Sequence, residues 1–472
     1  MIGAITSKEI RGFLRSGVFI SLAIAMIALL AGAAALSAQR IATFERERHA
    51  AEAVDREVWD TQGARNPHSA AHFSRYAFKP VPELVAFDPG VTDYAGLALW
   101  MEAHVQNPAV FRRAEDLGDA GRFVDLSPAW ILQYIAPLFV FLILFGAIAG
   151  EREQGTFRQM VASGVSSTTL LAGKLSGAGL AVGVIVFPAL LFVLFAASFS
   201  GGAGVLTDVG LRSAGLFAVY VLYSLTLGGV ALGVSALFKD KRTALLALVG
   251  LWAVSFILAP RVASGLAATA YPEPDAAQLT RDLRSASDAF YADRAYRDRI
   301  EREILAEYGV DTIEELPIDY GAYTLQKSEE HAQPLFEAFY ARLDDIHKKQ
   351  EQLLNRFSVI APVMALEKLS AGLSGSDRLH QKDFVNAVEG HRRVIVKQLN
   401  DDLMYNAGEA GYGYTADETL WREIPDFEYA SPRFASVASN YTLSALLLAI
   451  YAIISLFFAA VALKRAQRRV AS

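Results

Sequence analysis

Two histidines, His68 and His72, have a spacing that suggests chemistry. Pro67 favours a helix that starts just before them, and two residues four apart share one helical face. With His49 or His104 they could then bind a metal ion. No carboxylate occurs at a matching spacing, and isolated histidine pairs have a high false-positive rate. We therefore predict ordinary surface histidines and no metal site, with His68 and His72 as the candidate ligands if one exists.

The sequence lacks the common catalytic patterns. It contains no cysteine, which excludes thiolate metal sites and cysteine nucleophiles. No Gly-x-Ser-x-Gly elbow occurs in the two long segments 39–128 and 261–440. The Gly173-Lys174 pair lacks the upstream glycine of a phosphate-binding loop, because position 168 is threonine. We predict that the chain is not an enzyme and that it binds no nucleotide.

The most informative local sequence is GEREQGT, at residues 150–156. Gly155 would let the backbone turn into a short helix, with Phe157 and Met160 facing lipid or a partner. Such a helix could bind a cytoplasmic subunit and transmit its movement to the membrane helices. The alternative is an ordinary loop beside the membrane. The residues assigned to this contact are Gly150, Glu151, Arg152, Glu153, Gly155, Thr156 and Arg158.

Six long apolar stretches without a charged residue would position this loop. They are residues 17–38, 129–149, 175–198, 213–238, 243–260 and 441–463. Each is long enough to cross a bilayer as a helix, which takes about 20 residues. The pattern predicts an all-α membrane protein of six transmembrane helices with two extracytoplasmic insertions, 39–128 and 261–440. Ion-driven transporters usually keep charged residues at membrane depth, so their absence here indicates that energy comes from another chain.

Charge predicts the orientation of the chain. The short segments 1–16, 150–174, 239–242 and 464–472 are rich in Lys and Arg, whereas 199–212 contains a single arginine. The positive-inside rule therefore places both termini in the cytoplasm. The two insertions carry an excess of acidic residues, and nucleic-acid binding requires a basic surface. No nucleic-acid partner is predicted.

The larger insertion shows helical periodicity. Apolar positions at three-and-four spacing predict helices at 275–308 and 333–357, packed as a hairpin, and a third helix at 382–403. Pro362 is predicted to break the chain shortly before this third helix. Residues 412–432, rich in Tyr, Trp and Pro, are predicted to form an irregular strand packed on these helices. In the smaller insertion, the helical run 44–59 could continue the first transmembrane helix outward.

Two groups of residues within the apolar stretches are candidates for function. Polar side chains that could line a substrate path, or simply pack, are Gln133, Tyr134, Tyr220, Tyr223 and Ser224. Glycine pairs four apart let helices approach closely, either within the chain or at a dimer interface. These are Gly146 with Gly150, Gly179 with Gly183, and Gly229 with Gly233.

The sequence resembles the ABC-2-type transporter permease family. The resemblance rests on GEREQGT at 150–156, LLAGK at 170–174 and KEIR at 8–11, and it covers all six apolar stretches. SVIAPVMAL at 358–366, LSGSD at 373–377 and WREIPDFEY at 421–429 are similar to a bacterial subgroup. In that subgroup a large extracytoplasmic domain of unknown function lies between transmembrane helices 5 and 6.

The resemblance implies a permease subunit in the bacterial inner membrane, surrounded by lipid. It implies an amphipathic helix at 1–16 and a coupling helix within 150–174 that docks into a cytoplasmic ABC ATPase dimer. ATP and magnesium would bind in that partner, and a second permease chain, identical or paralogous, would complete the transporter. The commoner family pattern has short re-entrant helices between segments 5 and 6. Two alternatives to a permease that passes cargo stay open. The lack of a polar path in the membrane segments favours a mechanotransmission subunit that drives a periplasmic protein, and the motif at 151–156 argues against the other alternative, a non-energised scaffold.

Overall fold

The computed structural model describes residues 1–471 apart from 113–125, 198–202, 276, 280, 283 and 286–292. For 184–197, 203–206 and 471 it describes the backbone alone. Helices dominate the described residues. The strands among them are β1 (Tyr76–Phe78) and β2 (Ala98–Trp100), which pair antiparallel with Tyr76 opposite Trp100. The prediction of a helical protein is therefore correct apart from this small sheet.

The helices form a bundle of long apolar helices, called here the membrane-type helices, together with the two predicted insertions. They are α1 (Ile2–Arg15), α2 (Gly17–Asp60), α3 (Pro67–Phe73), α4 (Thr92–Ala95), α5 (Pro128–Glu153), α6 (Thr156–Ala162), α7 (Ser167–Ala197), α8 (Ala203–Leu237), α9 (Lys241–Ala270), α10 (Arg294–Tyr308), α11 (Tyr320–Phe357), α12 (Pro362–Ser374), α13 (Arg378–Asn406), α14 (Glu418–Glu423) and α15 (Phe434–Val470). Short 3₁₀ turns lie at Ile313–Glu315 and Gly408–Gly413. The first predicted insertion, 39–128, begins within α2 and leads to α5, and the second, 261–440, begins within α9 and leads to α15.

Five helices among the described residues are long and apolar enough to cross a membrane. They are α2, α5, the Thr207–Leu237 part of α8, α9 and α15. The remaining predicted span, 175–198, lies in α7, but its residues from 184 onward have no described side chains and 198 is outside the described residues. The count of six transmembrane helices therefore stays a prediction.

Helix α2 continues far beyond its apolar part. Its 44 residues extend over about 66 Å, twice the thickness of a bilayer core. The helical run predicted at 44–59 is thus roughly the last third of one continuous helix. Near its end the indole nitrogen of Trp59 donates a hydrogen bond to the Trp421 carbonyl at 2.9 Å. This contact joins the first insertion to the last part of the second.

The helices of the second insertion differ from the predicted ones in length and number. Helix α11 begins well before position 333, because Asp319 caps its first turn by accepting from the Ala322 amide. Helix α13 covers 382–403 and extends beyond it at both ends. Of the predicted helix 275–308, α10 is the described second half, and part of the first half lies outside the described residues. The segment 412–432, predicted as an irregular strand packed on the helices, does pack on α13, but it contains the short helix α14.

Helix α12 was not predicted, because Pro362 was interpreted as a chain break. Proline is instead favoured at the first position of a helix, where its missing amide hydrogen is not needed. Leu366, Leu369 and Leu373 are buried against the membrane-type helices. A Cβ atom built on Gly372 would lie 2.2 Å from the Tyr441 ring, so α12 and α15 approach closely. Helix α12 therefore packs the second insertion against one end of the bundle, which we call the insertion end.

The three glycine pairs have different surroundings. A Cβ on Gly229 would lie 2.8 Å from the Ser455 carbonyl carbon, and one on Gly233 would lie 2.3 Å from the Phe458 ring. Both glycines thus face α15 within the same chain. Among the described residues, no heavy atom comes within 4 Å of a Cβ built on the other four glycines, which are Gly146, Gly150, Gly179 and Gly183.

Replacing Gly229 with alanine should destabilise the bundle by about 1–3 kcal/mol, because the added methyl group meets the backbone of α15 and not a flexible side chain. Gly179→Ala is the matched control. It should be neutral or slightly stabilising, since alanine favours a helix over glycine by about 1 kcal/mol. Thermal unfolding midpoints in detergent measure the difference, and equal midpoints for the two variants would contradict the close α8–α15 contact.

Candidate functional site

The charged loop (residues 150–164) reverses the chain between α5 and α7. Gly155 has φ +76°, a left-handed conformation that favours glycine. Helix α6 begins at the next residue, Thr156. The predicted turn and short helix are both present. The four basic chain segments come together at this end of the bundle, called here the loop end: Lys8 contacts Glu151, Lys241 contacts Glu153, and Gln467 donates to the Val165 carbonyl.

Glu151 faces the interior of the protein. Its Oε1 lies 3.2 Å from the Lys174 ammonium, and it also pairs with Lys8 and accepts from the Thr156 hydroxyl. Lys174, whose side chain is only 3% exposed, has a second partner in Glu9 at 2.8 Å. Glu151 is thus directed into the bundle, and its contact with a partner subunit stays a prediction. A buried lysine requires a nearby counter-charge, and that requirement turns Glu151 inward, where it ties α5 to α1 and α7.

Arg152 and Glu153 bind the charged loop to the α8–α9 turn. The Arg152 guanidinium donates to the Ala236 and Phe238 carbonyls at 3.0 and 2.9 Å, where the end of a helix attracts a positive charge. Glu153 accepts from the Lys241 amide at 2.8 Å. The loop is thus attached to α8 and α9 as well as to α1 and α7.

The exposed face of the charged loop is polar. Phe157 was expected to face lipid or a partner, but it is buried in a cluster with Ile148 and Leu170. Met160 packs on the edge of the same cluster. Burial of these apolar residues leaves Glu153, Gln154, Arg158 and Gln159 on the outside. The arrangement is a small polar surface fixed to several long helices, which suits transmission of movement better than catalysis.

A large cavity lined by both charged and apolar residues lies at the insertion end. It has a volume of about 890 Å³, which is within the range of small-molecule sites. Helix α5 contributes Gln133, α11 contributes Asp344 and Glu351, and α12 contributes Glu367. The cavity therefore lies where the second insertion meets the membrane-type helices.

Three of the predicted path residues form one hydrogen-bonded group behind this cavity. The Gln133 side chain donates to Tyr220 at 3.1 Å and to Asp88 at 3.3 Å. Tyr223 donates to the Gln133 carbonyl at 2.7 Å, and the Tyr220 hydroxyl lies 3.0 Å from Ser370. Both tyrosines are fully buried, so they hold Gln133 in position and do not line the cavity.

The other two path residues have separate surroundings. The Tyr134 hydroxyl hydrogen-bonds to Glu367, a half-buried carboxylate that α12 brings to α5. Ser224 donates to the Tyr220 carbonyl in its own helix. The sequence analysis missed Glu367 and Asp88, because both lie outside the apolar stretches and reach the site only through the packing of the insertions.

Three histidine rings meet in the first insertion. Helix α3 carries His68 and His72, and Asn66 caps it by accepting from the His68 and Ser69 amides. His104 comes from the segment after β2. The ring centroids are 4.9, 5.0 and 5.0 Å apart, and one ring nitrogen from each residue lies within 4.8 Å of the others. These three residues are a group that could hold a metal ion.

The prediction of surface histidines is wrong for His68, which is only 3% exposed. Burial, together with the charges of the two neighbouring histidines, lowers the pKa of His68 to about 4, although a contact with Asn400 opposes the shift. Burial also raises the pKa of Glu329, which lies beside His104, but hydrogen bonding from His104 and the charge of Arg392 outweigh it and leave that pKa below its ordinary value. Local sequence spacing could not indicate Glu329 or Asn400, because each lies more than 200 positions along the chain from the histidine that it contacts.

One family model matches almost the whole chain. The family described as "ABC-2 family transporter protein" matches residues 3–468, a range that includes the charged loop and both insertions. No curated protein matches the chain. The family assignment agrees with the resemblance found in the sequence, and it does not identify the subgroup.

Glu151→Gln should lower the free energy of unfolding by about 2 kcal/mol, the contribution of a hydrogen bond to a charged group, because Lys174 keeps Glu9 and loses one of its two carboxylates. Glu153→Gln is the control. The Glu153 side chain is more exposed than that of Glu151, so this substitution should lower the free energy of unfolding by less than about 1 kcal/mol. Thermal unfolding in detergent at pH 7 compares them, and an unfolding midpoint of Glu151→Gln at or above that of the control would show that the buried pair contributes nothing.

Proposed function

The chain belongs to the ABC-2 transporter family, and we propose that it is the membrane permease subunit of an ATP-driven transporter. ATP hydrolysis in a separate ATPase dimer, which binds ATP and magnesium, would drive substrate across the bacterial inner membrane. Family permeases generally work with such ATPases. The observation that carries the proposal is the charged loop, whose exposed face is polar and whose buried residues attach it to several helices.

The attachments of the loop support its role as the coupling element. A partner that gripped Arg158 and its exposed neighbours would also displace Glu151, which is paired with Lys174 on α7. Arg152 would pass the same displacement to the end of α8. Because buried ion pairs and hydrogen bonds resist separation, α5, α7 and α8 would move together.

The orientation proposed here has both termini in the cytoplasm. The N-terminal helix, the charged loop, the α8–α9 turn and the C-terminal tail meet at the loop end, and all four are rich in Lys and Arg. The positive-inside rule favours a cytoplasmic location for such a cluster. The two insertions and the cavity at the insertion end would then be extracytoplasmic, so the cavity would open at the outer end of the translocation path.

A second permease chain, identical or paralogous, is part of the proposal. By analogy with the family, α5 and α9 would form the dimer interface. Large apolar side chains on α9 are exposed, with Leu246 at 67% and Leu258 at 56%. Gly146 and Gly150 on α5 have no described neighbour in the chain that would prevent a close helix approach. These surfaces suit either lipid or a second chain.

Force transmission without passage of cargo is the second candidate function. The continuous helix α2 favours it, because one rigid element runs from the membrane to Trp421 in the second insertion. Such a subunit would drive a periplasmic protein. A non-energised scaffold would need no exposed polar loop attached to so many helices, so the charged loop argues against that alternative.

Arg158→Glu should weaken binding of the ATPase subunit about tenfold, a change of ~1.4 kcal/mol, because a reversed charge at an interface disfavours a complementary partner. The measurement is co-purification of the native ATPase in mild detergent, followed by ATPase activity of the complex. Arg465→Glu is the matched control, since it reverses an exposed charge at the same end of the bundle but outside the charged loop.

Equal loss of ATPase in both variants would indicate general electrostatics and contradict docking at the charged loop. Recovery of wild-type chain without an ATPase, under conditions that preserve a known transporter, would favour the scaffold. A periplasmic protein recovered in stoichiometric amount, with no substrate accumulation in vesicles, would favour force transmission.

A further inference from the structure

We propose that His68, His72 and His104 bind one divalent transition-metal ion of the zinc class, and that Glu329 and Asn400 hold two of these ligands in place. The site would join the two insertions. It goes beyond the transport function proposed above and does not depend on it, because every observation that supports it lies in the insertions.

Two of the nitrogen atoms have the separation that a shared metal ion requires, and a nitrogen of His72 lies within 4.8 Å of both. Nε2 of His68 lies 3.2 Å from Nε2 of His104. Zinc binds imidazole nitrogen at about 2.0–2.1 Å in a tetrahedral arrangement, which places two such ligands about 3.3 Å apart. The His72 ring completes a nearly equilateral triangle with the other two.

A chain of hydrogen bonds sets the tautomer of His68. Glu330 accepts from the Gln326 side-chain amide at 3.1 Å, and Gln326 Oε1 accepts from Asn400 Nδ2 at 3.1 Å. Asn400 therefore presents its oxygen to His68 Nδ1, 3.0 Å away. Because that oxygen can only accept, His68 carries its proton on Nδ1 and directs the lone pair of Nε2 towards the centre of the cluster.

A carboxylate orients His104 in the same way. Glu329 Oε1 lies 2.6 Å from His104 Nδ1, and Arg392 holds the other carboxylate oxygen at 3.2 Å. A carboxylate this close favours a proton on Nδ1, the side on which the outer partners of metal-bound histidines commonly lie. The His104 backbone has φ +68°, an uncommon conformation for a residue with a side chain. The Glu329 contact with the His104 amide at 2.6 Å holds that conformation in place.

Two lone pairs facing each other at 3.2 Å repel unless a cation lies between them. A proton would satisfy two nitrogens and would leave His72 without a role in the cluster. A metal ion satisfies three at once. The convergence of the third ring is therefore the observation that favours a metal ion over a shared proton.

The ligand set indicates the class of metal. Neutral imidazoles suit zinc, copper and nickel, whereas magnesium and calcium prefer oxygen ligands. The three protein nitrogens leave a fourth tetrahedral position, and His72, which is exposed, places that position at the solvent side. Water or a small ligand would complete the coordination.

The site lies between the two insertions. All three histidines belong to the first insertion, whereas Glu329 on α11 and Asn400 on α13 belong to the second. Metal binding strengthens the hydrogen bonds that the ligands make through their other nitrogen. Binding should therefore stabilise the contact between the insertions, and removal of the metal should loosen it.

The experiment uses the full-length chain in detergent, purified with an affinity tag that contains no histidine and stripped with EDTA. Titration with Zn²⁺ against a chromophoric chelator should give one equivalent per chain, and Co²⁺ should give the strong visible absorption of a tetrahedral complex. His72→Ala should weaken Zn²⁺ binding at least 100-fold without unfolding the protein, because the side chain is exposed. His49→Ala is the matched control, since His49 is 67% exposed on α2 and outside the cluster.

Glu329→Gln tests the orienting role. It should retain one equivalent of Zn²⁺ with affinity reduced about 10–100-fold, the usual effect of losing an outer partner. Zn²⁺ should also raise the unfolding midpoint of the wild type and of His49→Ala, and leave that of His72→Ala unchanged. No binding by the wild type, or equal binding by wild type and His72→Ala, would overturn the proposal and leave the proton-bridged pair as the explanation.

Discussion

The buried charge of Lys174 is the constraint on which the loop end of the structure depends. A lysine that is almost fully buried is stable only beside a counter-charge. Glu9 supplies one from α1 and Glu151 supplies another from α5, so three helices must meet at one point. The charged loop then has no freedom to swing away from the bundle. Its exposed residues are therefore held in a fixed position relative to α1, α5 and α7. A short loop held in this way can transmit a displacement to those helices.

The same principle operates at the opposite end of α8. Arg212 is buried there, and its guanidinium donates to the Gly372 carbonyl on α12 and to the Pro432 carbonyl before α15. Asp208 balances its charge at 2.6 Å. Helix α8 is therefore bonded to the charged loop through Arg152 and to the second insertion through Arg212. A displacement at either end has a continuous hydrogen-bonded route to the other, independent of how many helices cross the membrane.

Local chemistry made part of this architecture predictable. The apolar stretches, the break at Gly155 and the helix start at Pro67 follow from residue types and short spacings. The misinterpretation of Pro362 arose because proline both ends and begins helices, and only the packing of α12 on the bundle decides between the two. Phe157 looked like an exposed apolar residue because its partners, such as Leu170, belong to another helix. His104 and Glu329 are 225 positions apart, and no local pattern encodes such a contact.

The cavity at the insertion end and the histidine cluster both lie where separate parts of the chain meet. The cavity is bounded by α5 and by residues of both insertions, and the histidine cluster lies between the first insertion and α11 and α13. A ligand shifts a conformational equilibrium only if it binds the alternative states with different affinity. Sites built from one rigid element cannot discriminate between states, whereas sites at joints can. Occupancy of either site would therefore bias the relative position of the insertions, and Arg212 connects that position to α8 and the charged loop.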